Sequence, residues 1–128
     1  MAEISEYSRV TPAIERLAQV CLANSQINRD DYLRYNVKRG LRDLDGTGVL
    51  AGLTEISEII SSKTVNGEQQ PCPGELYYRG YSIQELTDGF LSDGRFGFEE
   101  TAYLLMFGQL PDAAQLEQFN RQLAFYRS

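Results

Sequence analysis

A strand-like run, Glu75-Leu76-Tyr77-Tyr78-Arg79-Gly80-Tyr81, leads straight into Ser82-Ile83-Gln84-Glu85, where a serine stands three residues ahead of a glutamate. A serine at that position accepts a hydrogen bond from the amide of the third helical residue, whose carboxylate reaches back to the serine amide, so the pair marks a helix start. Within the run, Leu76 and Tyr78 fall on one face and Tyr77, Arg79 and Tyr81 on the other. An extended segment therefore hands over to a helix with no linker between them.

The flanks are helical on both sides of a β-rich middle. Thr11 followed by Pro12 is a helix start, and Ile14, Leu17, Ala18, Cys21 and Leu22 make one apolar face of a helix over about 11–24. A second helix is expected over about 29–39, with Asp30 and Asp31 at its positive end, Lys38 and Arg39 at its negative end and Gly40 as its stop. The region of about 49–81 reads as β. Val49 to Ile56 has strand character, Ile59 to Val65 forms a hairpin arm closed by Asn66-Gly67, and Pro71-Cys72-Pro73-Gly74 excludes a regular ladder. Three helices follow, over about 83–88 with a stop near Gly89, 98–107 closed by Gly108, and 112–127, where Asp112 and Gln115 supply a cap and Leu116, Phe119, Leu123 and Tyr126 a stripe. The loop from Leu91 to Gly97 is expected to be mobile. Glu99 and Glu100 stand in the first turn of the 98–107 helix, and Ala102 to Phe107 is apolar all round, which predicts burial from several sides. The last stripe is still running at Ser128 with neither Gly nor Pro behind it, the mark of a truncated polypeptide.

Composition narrows the chemistry. The chain has 128 residues and no histidine. Imidazole is the side chain best suited to proton transfer near neutral pH, so its absence weighs against a self-contained hydrolase, transferase or His-ligated metal site. A chain of this length forms one domain that buries roughly two-thirds of its unfolded surface. Twelve basic against eighteen acidic side chains, a net charge of -6, disfavour nucleic acid or an anionic membrane as partner. Cys21 lies on a helical apolar face and Cys72 between two prolines, which is neither a disulfide framework nor metal-ligand spacing. No apolar run approaches the roughly 20 residues of a membrane span and the start is polar, so the cytoplasm is the expected compartment.

Three segments in order, Gly46-Thr47-Gly48-Val49-Leu50-Ala51-Gly52-Leu53-Thr54-Glu55-Ile56-Ser57, then Gly74 to Ile83, then Phe98-Glu99-Glu100-Thr101-Ala102-Tyr103-Leu104-Leu105-Met106-Phe107-Gly108-Gln109-Leu110-Pro111, resemble the N-terminal part of a citrate synthase of the bacterial type. The likeness runs from about Arg39 to the last residue. It implies a parent enzyme that is a largely helical dimer, in which a large and a small domain close on oxaloacetate and condense it with acetyl-coenzyme A. It also implies that two histidines and an aspartate do this chemistry downstream of the matched region. No catalytic residue is therefore assigned in this chain, and the fragment alone is expected to be inactive. Coenzyme A thioester enters only as substrate of the parent, and no covalent cofactor or metal is expected.

Several residues carry competing readings. Arg42 matches a coenzyme A phosphate contact of related synthases, with Arg39 as the other position the alignment allows. It reads equally as a solvated charge at a helix end. Arg79 suits either a bidentate anion site or a structural arginine that pairs with a carbonyl and stacks on a tyrosine, with the structural role favoured. Gly46-Thr47-Gly48 lacks the third glycine and following helix of a phosphate loop and reads as a turn. Asp30-Asp31 and Glu99-Glu100 are first-turn helix charges.

The expected fold is mainly α with a small antiparallel β element, residues 1–128 forming part of the large domain of the all-α citrate synthase fold. Expected partners are the remainder of the synthase chain and a second copy of this one. The readings left open are an interaction or assembly module built on the synthase scaffold, and a 2-methylcitrate synthase parent that uses propionyl-coenzyme A.

Overall fold

The computed structural model describes residues 8–38, 40–42 and 48–127. These contain five helices, α1 (Pro12–Ala23), α2 (Arg29–Arg34), α3 (Ile83–Ser92), α4 (Phe98–Phe107) and α5 (Ala113–Arg127), and three strands, β1 (Ser57–Val65), β2 (Glu68–Tyr78) and β3 (Tyr81–Ser82), in one antiparallel sheet of order β1-β2-β3. The fold is mostly helical with a small β element. Contacts divide it into two compact units, where one domain was expected: one combines the chain up to Asn24 with everything from Ile56 onwards, and the other is Ser25–Glu55.

In the larger unit the core is a three-ring cluster. Tyr103 and Phe107 on α4 and Phe119 on α5 are almost wholly buried, with Leu17, Val20 and Cys21 of α1, Ala102 and Leu123 packed around them. Phe119 meets Tyr103 and Phe107 edge-on, at centroid separations of 5.4 and 5.8 Å, the arrangement aromatic quadrupoles favour. Two expectations change here. The buried face of α1 runs through Val20 instead of Leu22, which is 58 % exposed, and α4 is buried along one side only, leaving Phe98 and Met106 in solvent. The Ala102 to Phe107 run is apolar all round and so offers no polar face from which to read its orientation.

The strand region is shifted from its expected place. No strand covers Val49 to Ile56; the ladder starts at Ser57, because imperfect alternation and Gly52 give the earlier segment little to pair with. Asn66 and Gly67 both take positive φ, 54° and 87°, and close the β1–β2 hairpin as a primed turn requires. The Pro-rich segment does not end the ladder. Ile60 pairs with Glu75 and Ser62 with Pro71, so Cys72-Pro73-Gly74 bulges opposite the single residue Ser61. Pro71 is tolerated because β3 reaches only Tyr77 and Tyr78, leaving that edge of β2 without a ladder neighbour.

Helix stops account for the other differences. α2 ends at Arg34 rather than near residue 39, because Asn36 adopts φ 51° and lets Val37 and Asn36 donate back to the carbonyls of Tyr32 and Leu33. That is a Schellman closure with asparagine in the left-handed position. α3 runs through Gly89 to Ser92 and closes the same way: Gly94, at φ 64°, donates to Leu91 and Arg95 to Phe90. Its start is the full capping box of Ser82 and Glu85, whose hydrogen bonds hold the Glu85 carboxyl below the ordinary range.

Candidate functional site

The polar centre of the larger unit is built around Arg79. β2 does not run directly into α3; Tyr78 pairs with Tyr81 across the two-residue turn Arg79-Gly80, at φ 48° and 86°. Both positions of such a turn demand positive φ, and a non-glycine residue there costs roughly 1–2 kcal/mol. The arginine side chain offsets that cost. Its Nη1 donates to the Asn24 carbonyl at 3.2 Å, while Nε and Nη2 both donate to the Leu105 carbonyl at 3.4 and 3.2 Å. Asn24 is the C-cap of α1 and Leu105 lies in the last turn of α4, so one guanidinium sits on the negative ends of two helices, where cationic charge is favoured.

The two ends meet closely. Gly108 closes α4 at φ 81°, and a Cβ placed on it would lie 2.9 Å from the Asn24 Oδ1. Arg79 is thus a structural clamp joining the β turn, α1 and α4 through two helix carbonyls.

Arg42 lies in the smaller unit. It is exposed and forms an isolated antiparallel bridge with Gly48. Arg39 and Gly46-Thr47 lie outside the described residues. Glu99 and Glu100 occupy the first turn of α4, and Asp30 and Asp31 that of α2, where negative charge complements the helix dipole.

The sequence reading did not single out Arg95. It binds Asp93 at 2.9 Å and Glu100 at 2.5 Å in one wall of a 450 Å³ open cleft whose other wall is the start of α5. Those two carboxylates raise its pKa. Each charge in that triplet has a partner, and Asp112 across the cleft is occupied in capping α5 through the Gln115 amide. On the hairpin, Glu75 accepts from Lys63 at 2.7 Å and from Tyr77 at 2.9 Å; Lys63 foremost holds the carboxylate down, and Glu75 in turn raises both partners. No group of three or more His, Cys, Asp or Glu side chains is placed to hold a metal among the described residues, and no helix there is long and apolar enough to cross a membrane.

Comparison with known proteins gives this scaffold a family. A family model described as "Citrate synthase, C-terminal domain" matches residues 41–128. That description corrects the N-terminal placement expected from the three segments. The chain is 34 % identical over 93 residues to 2-methylcitrate synthase 2 of Corynebacterium glutamicum, covering 73 % of this chain and 19 % of that one. It is 33 % identical over 89 residues to the 2-methylcitrate synthase of Mycobacterium tuberculosis H37Rv, covering 70 % and 17 %. A citrate synthase-related protein of Dictyostelium discoideum is 38 % identical over 52 residues, covering 41 % and 11 %. The matched region spans less than a fifth of these relatives' lengths, and no solved structure matches. Because the family match takes in the turn that holds Arg79, the capped α3 and the whole aromatic core, the chain belongs to the citrate synthase family.

Proposed function

We propose that this chain is a scaffold segment of an enzyme that condenses a short acyl-coenzyme A with oxaloacetate. The observation that carries the reading is the family match over residues 41–128 in a chain with no histidine. Such a condensation needs a base to take a proton from the acyl α-carbon and a donor to polarise the ketone. Within the described larger unit, the one arginine of the signature turn is committed to helix carbonyls, which suits a supporting role for this segment and leaves the proton transfers to other parts of the enzyme.

The relatives' names bear on the donor. 2-Methylcitrate carries one methyl more than citrate, so its formation from oxaloacetate requires a three-carbon acyl group in place of a two-carbon one. The bacterial relatives named above therefore favour propionyl- over acetyl-coenzyme A. We assign Arg42 as a peripheral contact to the coenzyme phosphate.

The 128-residue chain alone is expected to release no thiol from either thioester with oxaloacetate, and robust turnover that survives purification would overturn the scaffold role. The positive test is a chimaera of the Corynebacterium 2-methylcitrate synthase 2 carrying residues 41–128 in place of its own matching segment. It should condense propionyl-coenzyme A, and a folded but inert chimaera defeats the proposal. In that chimaera, Arg42→Ala should raise KM for the thioester roughly 2- to 5-fold with kcat unchanged, as loss of one exposed ionic contact predicts. The effect should shrink as salt screens it; an unchanged KM removes Arg42 from the site.

A further inference from the structure

The tip of the β1–β2 hairpin sets a backbone nitrogen beside an uncovered carboxamide. Asn66 and Gly67 are exposed, as are the residues flanking them on both strands, and no atom beyond its chain neighbours lies within 4 Å of where a Gly67 Cβ would stand. Among the described residues, neither the Asn66 carboxamide nor the Gly67 amide takes part in a hydrogen bond. The other four asparagines differ. Asn24 donates its side-chain amide to the Val20 carbonyl, and Asn28 accepts from the Asp30 amide. After Asn36, the Val37 amide is tied to the Tyr32 carbonyl, and Asn120 lies within α5. Each of these four is followed by a residue with a side chain, Ser25, Arg29, Val37 or Arg121.

We infer that Asn66 is a site of spontaneous deamidation, and that the isoaspartate formed there opens the end of the hairpin. The Gly67 nitrogen, losing its proton to solvent base, attacks the Asn66 Cγ. The new N–Cγ bond closes a five-membered succinimide as the side-chain nitrogen leaves as ammonia. Water then cleaves the ring, giving aspartate where the Cγ–N bond breaks and isoaspartate where the bond to the main-chain carbonyl breaks, so one water is consumed for each ammonia released. Ring closure requires Asn66 to rotate about its Cα–C bond, out of the left-handed conformation it holds at φ 54°. That conformation is itself unfavourable for a residue with a Cβ, and an exposed tip with no packed side chain opens at low free energy.

The two products act differently on the hairpin. Asp-Gly suits a primed turn as Asn-Gly does, so aspartate leaves the strands paired. Isoaspartate routes the chain through the side-chain methylene and lengthens a two-residue loop that fixes the pairing of Val65 with Glu68. The hydrogen bonds from Gln69 to Thr64 and from Ser62 to Gln69, next to the turn, are lost with that register. The ring core draws no residue from β1 or β2 and is untouched.

The test is to incubate the full 128-residue chain at mildly alkaline pH, folded and in urea, and to score all five asparagines by mass spectrometry with electron-transfer fragmentation. In the folded chain Asn66 should convert at least tenfold faster than each of the others, with isoaspartate the larger product. Hydrogen exchange of the hairpin amides should quicken at least tenfold in molecules bearing isoaspartate. In Asn66→Asp, which adds the same charge without lengthening the backbone, exchange should stay within about twofold of the wild type. Conversion in urea but not in the folded chain would show that the turn shields the site. That result, an Asn66 no faster than Asn120, an isoaspartate form with its hairpin protection intact, or an Asn66→Asp hairpin equally open would each overturn the inference.

Discussion

Arg79→Met should lower the unfolding free energy of the larger unit by about 2–3 kcal/mol, the range for hydrogen bonds made by a charged group. Methionine preserves the aliphatic stem but leaves the Asn24 and Leu105 carbonyls without the guanidinium donors at 3.2–3.4 Å. It also keeps the turn in its positive-φ conformation without the compensation. Arg79→Gly separates the two effects, since glycine relieves roughly 1 kcal/mol of backbone strain while losing the same donors, so it should be less damaging than methionine. Arg79→Lys should fall nearest the wild type, retaining a charge at the helix ends but no fork. Urea titrations with an unchanged m-value would read these differences directly. A methionine variant within 0.5 kcal/mol of wild type, on the order of a neutral surface change, would show that the clamp carries no stability.

Phe107→Ala should be costlier, by about 3–5 kcal/mol, as truncation of a buried aromatic residue predicts. Phe107 is 2 % exposed and touches both other rings of the core, lying 4.5 Å from Tyr103 between centroids. Its loss opens a cavity exactly where α4 and α5 meet, and α1 loses the surface on which Leu17 and Val20 rest. Phe98→Ala, nine residues earlier on the same helix but 75 % exposed, is the internal control and should change monomer stability little. Equal effects of the two substitutions would mean that the ring cluster is not the centre of the unit.

Fold class was legible because it depends on local signals. The Ser82–Glu85 cap, the Asn66-Gly67 turn and the 3–4 spacing of Leu116, Phe119 and Leu123 each act within a few residues. What stayed hidden depends on contacts distant in sequence or on rarer backbone choices. Asn36 ends α2 by taking the left-handed conformation usually left to glycine, so Gly40 was a misleading stop. Arg79 in a positive-φ position looks like one more strand residue until its side chain is seen bridging two helices. The polar centre was readable as an arginine in a signature segment, favoured as structural, but not as a clamp, since Asn24 and Leu105 accept through backbone carbonyls and carbonyls leave no trace in side-chain chemistry. Arg95 escaped notice for a related reason: it lies in a glycine-containing loop, where charge usually signals only solvation.

The bonds of Arg79 reach across 55 residues to Asn24 and 26 residues to Leu105. Bridging such spans carries a loop-closure entropy that a hairpin of adjacent strands never meets. The β1–β2 ribbon pairs neighbouring segments, whereas the guanidinium needs α1 and α4 in place to meet its acceptors, so its bonds are expected to form after the transition state. Interactions absent from the folding transition state slow unfolding without hastening folding. The arginine of the signature turn is therefore expected to act as a late latch, its loss raising the unfolding rate more than it lowers the folding rate in stopped-flow measurements.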